Sequence, residues 1–131
     1  MPYPVDFELQ HPRLFMTKAI ALVAILSLFF HILFGWMWVV LAAIGGGWMY
    51  HERGWAVGGI GVSLSWILLV GYNYLVAPFQ VSEMTRVMAS LFGGLPSLSI
   101  PLLTVIIGII IGTVGGALGS AMAAFFNRKN R

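Results

Sequence analysis

Cysteine is absent from the 131-residue chain, and charged residues make up only 8% of it. The lack of cysteine excludes disulfide bonds, thiol nucleophiles and cysteine-ligated metals. The scarcity of charge is equally informative, because about a quarter of the residues in a soluble domain are charged. Hydrophobic residues reach 60%, and so small a chain has too little polar surface to cover them in water. The composition therefore predicts a single integral membrane domain.

Patterns that carry catalysis or bind metals are also missing. The three histidines stand 20 residues apart, which is not a metal-ligand spacing, and no predicted helix carries two carboxylates three or four residues apart. The sequence has no nucleophile–base–acid set, phosphate-binding loop or dinucleotide fingerprint. The four carboxylates fall outside the predicted spans, whereas proton pumps and transporters carry carboxylates within the membrane. We therefore expect no enzymatic activity and no metal site, and these patterns predict no cofactor.

Four apolar stretches and one amphipathic stretch follow one another along the chain. We place the spans and flanking segments as follows: an extended N-terminal segment at 1–13, spans at about 14–34, 36–50, 55–77 and 99–126, an amphipathic interfacial helix at about 81–92, and a basic tail at 127–131. The first apolar run has no small-x-small cleavage site after it, so we expect it to be retained rather than removed as a signal peptide. The predicted fold class is an all-α integral membrane protein with four transmembrane helices and a short interfacial helix.

The number of spans depends on the uncharged stretch from Ala19 to Tyr50. One helix of this length would measure about 48 Å, against a hydrocarbon core of about 30 Å. A reversal at Gly35 gives two spans, but the second, from Trp36 to Tyr50, is short. The alternative is three spans with a long or re-entrant first segment. Four spans leave Arg86 as the only cation on its side, so the positive-inside rule favours four spans with both termini cytoplasmic.

The last span carries five glycines among stiff β-branched residues. Small residues at four-residue spacing let two helix backbones approach closely in lipid, where no hydrophobic force draws helices together. A similar stripe of small residues runs along the third span, so we predict a helix-packing interface. Its residues are Gly108, Gly112, Gly115, Gly116, Gly119, Gly54, Gly58 and Gly61. These stripes either pack against each other within one chain, or the last helix packs against copies of itself and lines a pore.

Two polar features are further candidates for a site. His31 lies in the first span, where an ionisable group is a functional candidate; it could ligate haem or a chlorophyll-type pigment, with Ser27 one turn earlier leaving room for a macrocycle. It could equally be a packed or interfacial histidine. The turn after the second span holds His51, Glu52 and Arg53, which could contact a lipid headgroup or be polar only because the turn faces water.

Three interpretations of function remain open. The first is a small non-catalytic membrane protein, a structural or accessory subunit of a larger assembly, in contact with lipid and with other membrane subunits or copies of itself. The second is a homo-oligomeric channel with the last helix at the subunit interface and Thr104, Thr113 or Ser120 toward water. The third is a haem- or pigment-binding subunit that uses His31. The net charge of +3 is small, so we expect no nucleic-acid partner.

Overall fold

The chain is all-helical in the computed structural model, which describes residues 12–129. Its helices are Pro12–Phe34 (α1), Val39–Met49 (α2), Gly54–Val76 (α3), Pro78–Leu91 (α4) and Ser99–Lys129 (α5), and a turn of 3-10 helix at Trp36–Trp38 leads into α2. Three of them, α1, α3 and α5, are long and apolar enough to cross a membrane. The segment Trp36–Met49 is apolar but shorter.

Gly35 separates α1 from α2 and reverses the direction of the chain. Its φ of 93° and ψ of 172° lie in a region that residues with a Cβ atom scarcely enter. Its N–H donates to the carbonyl of His31 at 3.2 Å, and its carbonyl accepts from the N–H of Trp38 at 3.3 Å. The reversal therefore keeps its backbone groups hydrogen-bonded, as an apolar environment requires.

Aromatic contacts show the directions of α1, α2 and α5. Phe15 near the start of α1 lies against Tyr50 at the end of α2, with ring centroids 5.7 Å apart, so α1 and α2 run antiparallel. Trp48 near the end of α2 lies 5.4 Å from Phe126 near the end of α5. The start of α1, the end of α2 and the end of α5 are therefore neighbours at one end of the molecule.

The α3 helix runs antiparallel to α5 along the most extensive interface of the fold. Gly54, at the start of α3, lies against Ser120, and Trp66 in the middle of α3 lies against Gly108. Residue numbers thus rise along α3 as they fall along α5. The α2–α3 turn belongs to the same end of the molecule as the start of α1, and α4 connects the other ends of α3 and α5.

The core lies between α1, α2 and α3 and consists mainly of small side chains. Since α1 and α5 do not contact each other, α2 and α3 lie between them. The buried cluster contains Ala19, Val23, Val39, Ala43, Val57, Val62 and Trp66. Tryptophan is the only large member, and the small side chains let the helix axes come close.

The α4 helix is amphipathic, and its three faces have different chemistry. Thr85 and Ala89 are buried against the rest of the molecule. At 100° per residue, Met84 and Met88 lie on one flank of this buried face and Arg86 lies on the other. An apolar flank and a polar flank on one helix are typical of a helix at the boundary between lipid and water.

Three predicted boundaries differ from those of the structure by two residues or more. Pro12, the first described residue, already lies in α1, within the segment predicted as extended; residues 1–11 lie outside the described range. Pro78 opens α4 three residues earlier than predicted, because proline fits the first turn of a helix. The α5 helix continues through residues 127–129 of the predicted tail, where Arg128 and Lys129 interact favourably with the helix C-terminus, and 130–131 are not described.

Candidate functional site

The backbones of α3 and α5 touch at two pairs of glycines. A methyl group on Gly112 would lie 2.9 Å from the carbonyl carbon of Gly58, and one on Gly116 would lie 2.8 Å from the carbonyl carbon of Gly54. Both distances are shorter than van der Waals contact, and the atoms involved are backbone atoms that no side-chain rotation can move. Only glycine therefore permits this approach of α3 to α5.

The glycines of α5 form two rows at four-residue spacing, Gly108, Gly112 and Gly116 in the first and Gly115 and Gly119 in the second, and the second row faces α2. A methyl group on Gly115 would lie 2.8 Å from the Cβ of Ala43, and one on Gly119 would lie 2.8 Å from the backbone nitrogen of Trp48. The two glycine rows of α5 therefore contact two different helices, because rows that differ by three residues in register face directions about 60° apart on a helix. Both partners belong to the same chain.

All eight glycines of the predicted interface are buried between helices, but the stripe on α3 divides between two neighbours. Gly54 and Gly58 face α5, whereas a methyl group on Gly61 would lie 2.7 Å from the Cβ of Val23 on α1. In α2, Gly46 and Gly47 are buried, whereas Gly45 faces open space. The small residues thus hold α1, α2, α3 and α5 together within one chain.

A buried hydrogen bond joins α1 to α3. The hydroxyl oxygens of Ser27 and Ser65 are 2.7 Å apart, and neither side chain is exposed. Ser65 donates its proton to the carbonyl of Val62 at 2.8 Å, so Ser27 is the donor in the bond between the two serines. Their positions, 38 residues apart, carry no signal of the contact.

His31 lies one turn beyond Ser27 and packs edge-on against Trp66. The ring centroids are 5.8 Å apart and the rings are nearly perpendicular. On its other side Trp66 lies against Gly108, where a methyl group would be 3.1 Å from the indole ring. Trp66 is only 7% exposed, so it fills the space beside His31 that a macrocycle on this face of α1 would need. Ser27 does not provide room either, because it is engaged with Ser65.

Two nitrogens in this contact, His31 Nδ1 and Trp66 Nε1, are buried without a hydrogen-bond partner among the described residues. Buried polar atoms normally have one. A Trp N–H can only donate, and a neutral imidazole nitrogen donates or accepts according to its tautomer. Among the described residues, no group of three potential metal ligands includes His31.

The polar turn between α2 and α3 projects from the end of the molecule. His51, Glu52 and Arg53 are all exposed, and the ion pairs of residues 12–129 do not include Glu52 with Arg53. Tyr50 is partly buried against the core. The turn is therefore accessible to groups outside the chain, as a headgroup contact requires.

The hydroxyls that the channel interpretation places toward water contact their own chain. Ser120 donates to the carbonyl of Gly116 at 3.0 Å and lies 3.4 Å from that of Gly47. Thr113 lies against Gly59 of α3, and Thr104 donates to the carbonyl of Ile100 on its own helix. Among residues 12–129, no three potential metal ligands come together.

A lateral groove of about 980 Å³ opens between α1 and the second half of α3. Its lining is apolar apart from Tyr72 and Asn73 near the end of α3. The groove is open along its side, so it forms part of the outer apolar surface.

Comparison with known protein families, with curated proteins and with solved structures finds no match for this chain.

Proposed function

We propose that this chain is a small non-catalytic membrane protein that folds into its own helical bundle and serves as a structural or accessory subunit of a larger membrane assembly. The observation that carries the proposal is the use of both glycine rows of α5 within the chain. A helix whose close-packing face is already covered has no such face left for copies of itself. This favours the accessory subunit over a pore built on α5.

The outer surface supports contact with lipid and with partner helices. Large apolar side chains cover the outside of the bundle, among them Ile32, Met37, Leu68, Leu75, Leu102 and Phe125, each more than half exposed. Such a surface is stable only against lipid or other apolar helices. The proposed partners are therefore the bilayer and the transmembrane helices of other subunits.

The proposed topology has four spans, with α2 as the short one. The segment Trp36–Met49 is about 21 Å long, less than a bilayer core of about 30 Å. It packs against α1, α3 and α5, and these protein contacts on several sides favour a short or re-entrant segment. The end of the bundle that gathers Arg13, Arg53 and Arg128 would face the cytoplasm, in agreement with the positive-inside rule.

Single-cysteine labelling tests this topology, since the native chain has no cysteine. Intact cells that express one variant at a time would be treated with a membrane-impermeant maleimide. The variants are Gln10→Cys, His51→Cys, Asn127→Cys and Ser90→Cys. We expect only Ser90→Cys to react from outside, and the other three to react after permeabilisation. Labelling of Gln10→Cys and His51→Cys from opposite sides would contradict four spans and support three.

Purification from native membranes in mild detergent tests the subunit role. We expect an affinity-tagged chain to migrate in one assembly with other membrane polypeptides at fixed stoichiometry through two successive separations. Gly112→Leu, which disrupts the bundle, should lose the assembly, whereas Gly71→Leu, at a position with open space around it, should retain it unless the partner covers that face. A homo-oligomer that conducts ions in planar bilayers would overturn the proposal in favour of the channel.

A further inference from the structure

The two ends of the bundle differ sharply in net charge. Helix directions bring five cations to one end, from the start of α1, the α2–α3 turn and the end of α5. They are Arg13, Lys18, Arg53, Arg128 and Lys129. All five are exposed, and the described residues at this end offer Glu52 as the one carboxylate, so five cations and one acid give a local net charge of +4.

The opposite end is neutralised by the chain itself. Arg86 on α4 donates to the carboxylate of Glu83 at 2.7 Å, in an ion pair within one helix. The cation and the acid cancel, so α4 has no net charge to attract an ion. The basic end has no such pair among residues 12–129.

Three of the cations lie at a depth suited to lipid headgroups. The contact between Phe15 and Tyr50 puts Arg13, two residues before Phe15, near the level of Arg53. Lys18 is five residues further along α1, about 7.5 Å deeper, and its flexible stem can reach back toward the same level. This spread resembles the thickness of one headgroup layer, about 5–8 Å.

We infer that the corner formed by the start of α1 and the α2–α3 turn binds the headgroup of an anionic phospholipid. Arg13 and Arg53 lie at a similar depth, and each can donate paired N–H···O contacts to a headgroup phosphate, which the planar guanidinium geometry suits. Lys18 approaches the headgroup from the bilayer side. Arg128 and Lys129 lie about 12 Å beyond the level of Ser120, and they attract the anionic headgroup at longer range. The inference relies on the membrane topology proposed above.

Fluorescence quenching by brominated lipids tests this site. Trp48 and Trp55 flank the basic end, and quenching of their emission reports on the lipids bound there. A Trp36→Phe/Trp38→Phe background removes the emission of the exposed tryptophans at the other end. Vesicles would contain phosphatidylcholine with either brominated phosphatidylglycerol or brominated phosphatidylcholine. We expect the anionic lipid to be preferred by about fivefold or more for each engaged cation, and 0.5 M salt to abolish most of the preference.

Charge variants give the matched comparison. Arg13→Gln/Arg53→Gln should weaken the preference by about 25-fold, whereas Arg86→Gln at the opposite end should leave it unchanged. Equal quenching by both lipids, or an equal loss in Arg86→Gln, would overturn the inference. Equal quenching by both lipids together with binding of free glycerol phosphate would identify the ligand as a free anion rather than a bilayer lipid, and would also overturn it.

Folding and topology are controlled separately. Circular dichroism and detergent elution of Arg13→Gln/Arg53→Gln should match those of the unmodified chain; if they do not, the salt titration of the unmodified chain decides the question. If the topology is wrong, the cysteine labelling described above departs from its expected pattern, whatever the lipid experiment gives. A correct topology with no lipid preference therefore identifies a failure of this inference alone.

Discussion

Ser27 and Ser65 share one buried hydrogen bond in which Ser27 is the donor, because the proton of Ser65 is directed to the carbonyl of Val62. This direction makes the two serines unequal. Loss of Ser27 leaves the Ser65 proton satisfied, whereas loss of Ser65 leaves the buried Ser27 proton without its acceptor.

We therefore expect Ser65→Ala to destabilise the bundle more than Ser27→Ala. The cost of Ser27→Ala should be about 0.6 kcal/mol, typical of a hydrogen bond between helices in a membrane, and that of Ser65→Ala up to about 1.7 kcal/mol. Unfolding in mixed detergent micelles measures both. Ser63→Ala, whose hydroxyl bonds only within α3, is the control and should change stability by less than about 0.5 kcal/mol. Equal costs for Ser27→Ala and Ser65→Ala would contradict the assigned direction.

Glycine-to-alanine substitutions should separate the packing glycines from the others. Gly112→Ala and Gly116→Ala would push a methyl group into the backbone of α3, and we expect each to cost about 1–3 kcal/mol or more. Gly45→Ala meets nothing within 4 Å and gains helix propensity, so it should be neutral or stabilising by up to about 1 kcal/mol. The same unfolding assay decides, and a neutral Gly112→Ala would refute the close contact of α3 with α5.

Gly35 should resist substitution for a different reason. A methyl group there meets nothing within 4 Å, but the φ of 93° strains any other residue. We expect Gly35→Ala to destabilise by about 1–3 kcal/mol through backbone strain alone. Gly71→Ala is the control, with equally open surroundings and helical backbone. If the two variants proved equally stable, the reversal between α1 and α2 would not depend on this conformation.

The absorption spectrum of the purified protein tests the cofactor interpretation of His31. Because Trp66 fills the space on the α3 side of the imidazole, we expect only the aromatic absorption of the polypeptide. A visible haem or pigment band that vanished in His31→Ala and persisted in His51→Ala would contradict this expectation. It would also show that a macrocycle binds from the lipid side of α1.

The sequence by itself determined the apolar character of the helices, the reversal at Gly35 and the four-residue spacing of the glycines. These properties are local: helix periodicity and the conformational range of glycine act within a few residues. Spacing alone predicted that Gly112 and Gly115 lie in packing rows. Spacing could not choose their partners, because small residues accept many neighbours.

Only the tertiary structure decided that one row of α5 meets α3 and the other meets α2. The same holds for the bond between Ser27 and Ser65 and for the position of Trp66 between His31 and Gly108. These contacts join residues about 35 or more positions apart, so they depend on how four helix surfaces fit together at once. The four-span prediction already placed the cations on one side, but the pairing of Glu83 with Arg86 at the other end is visible only in the structure.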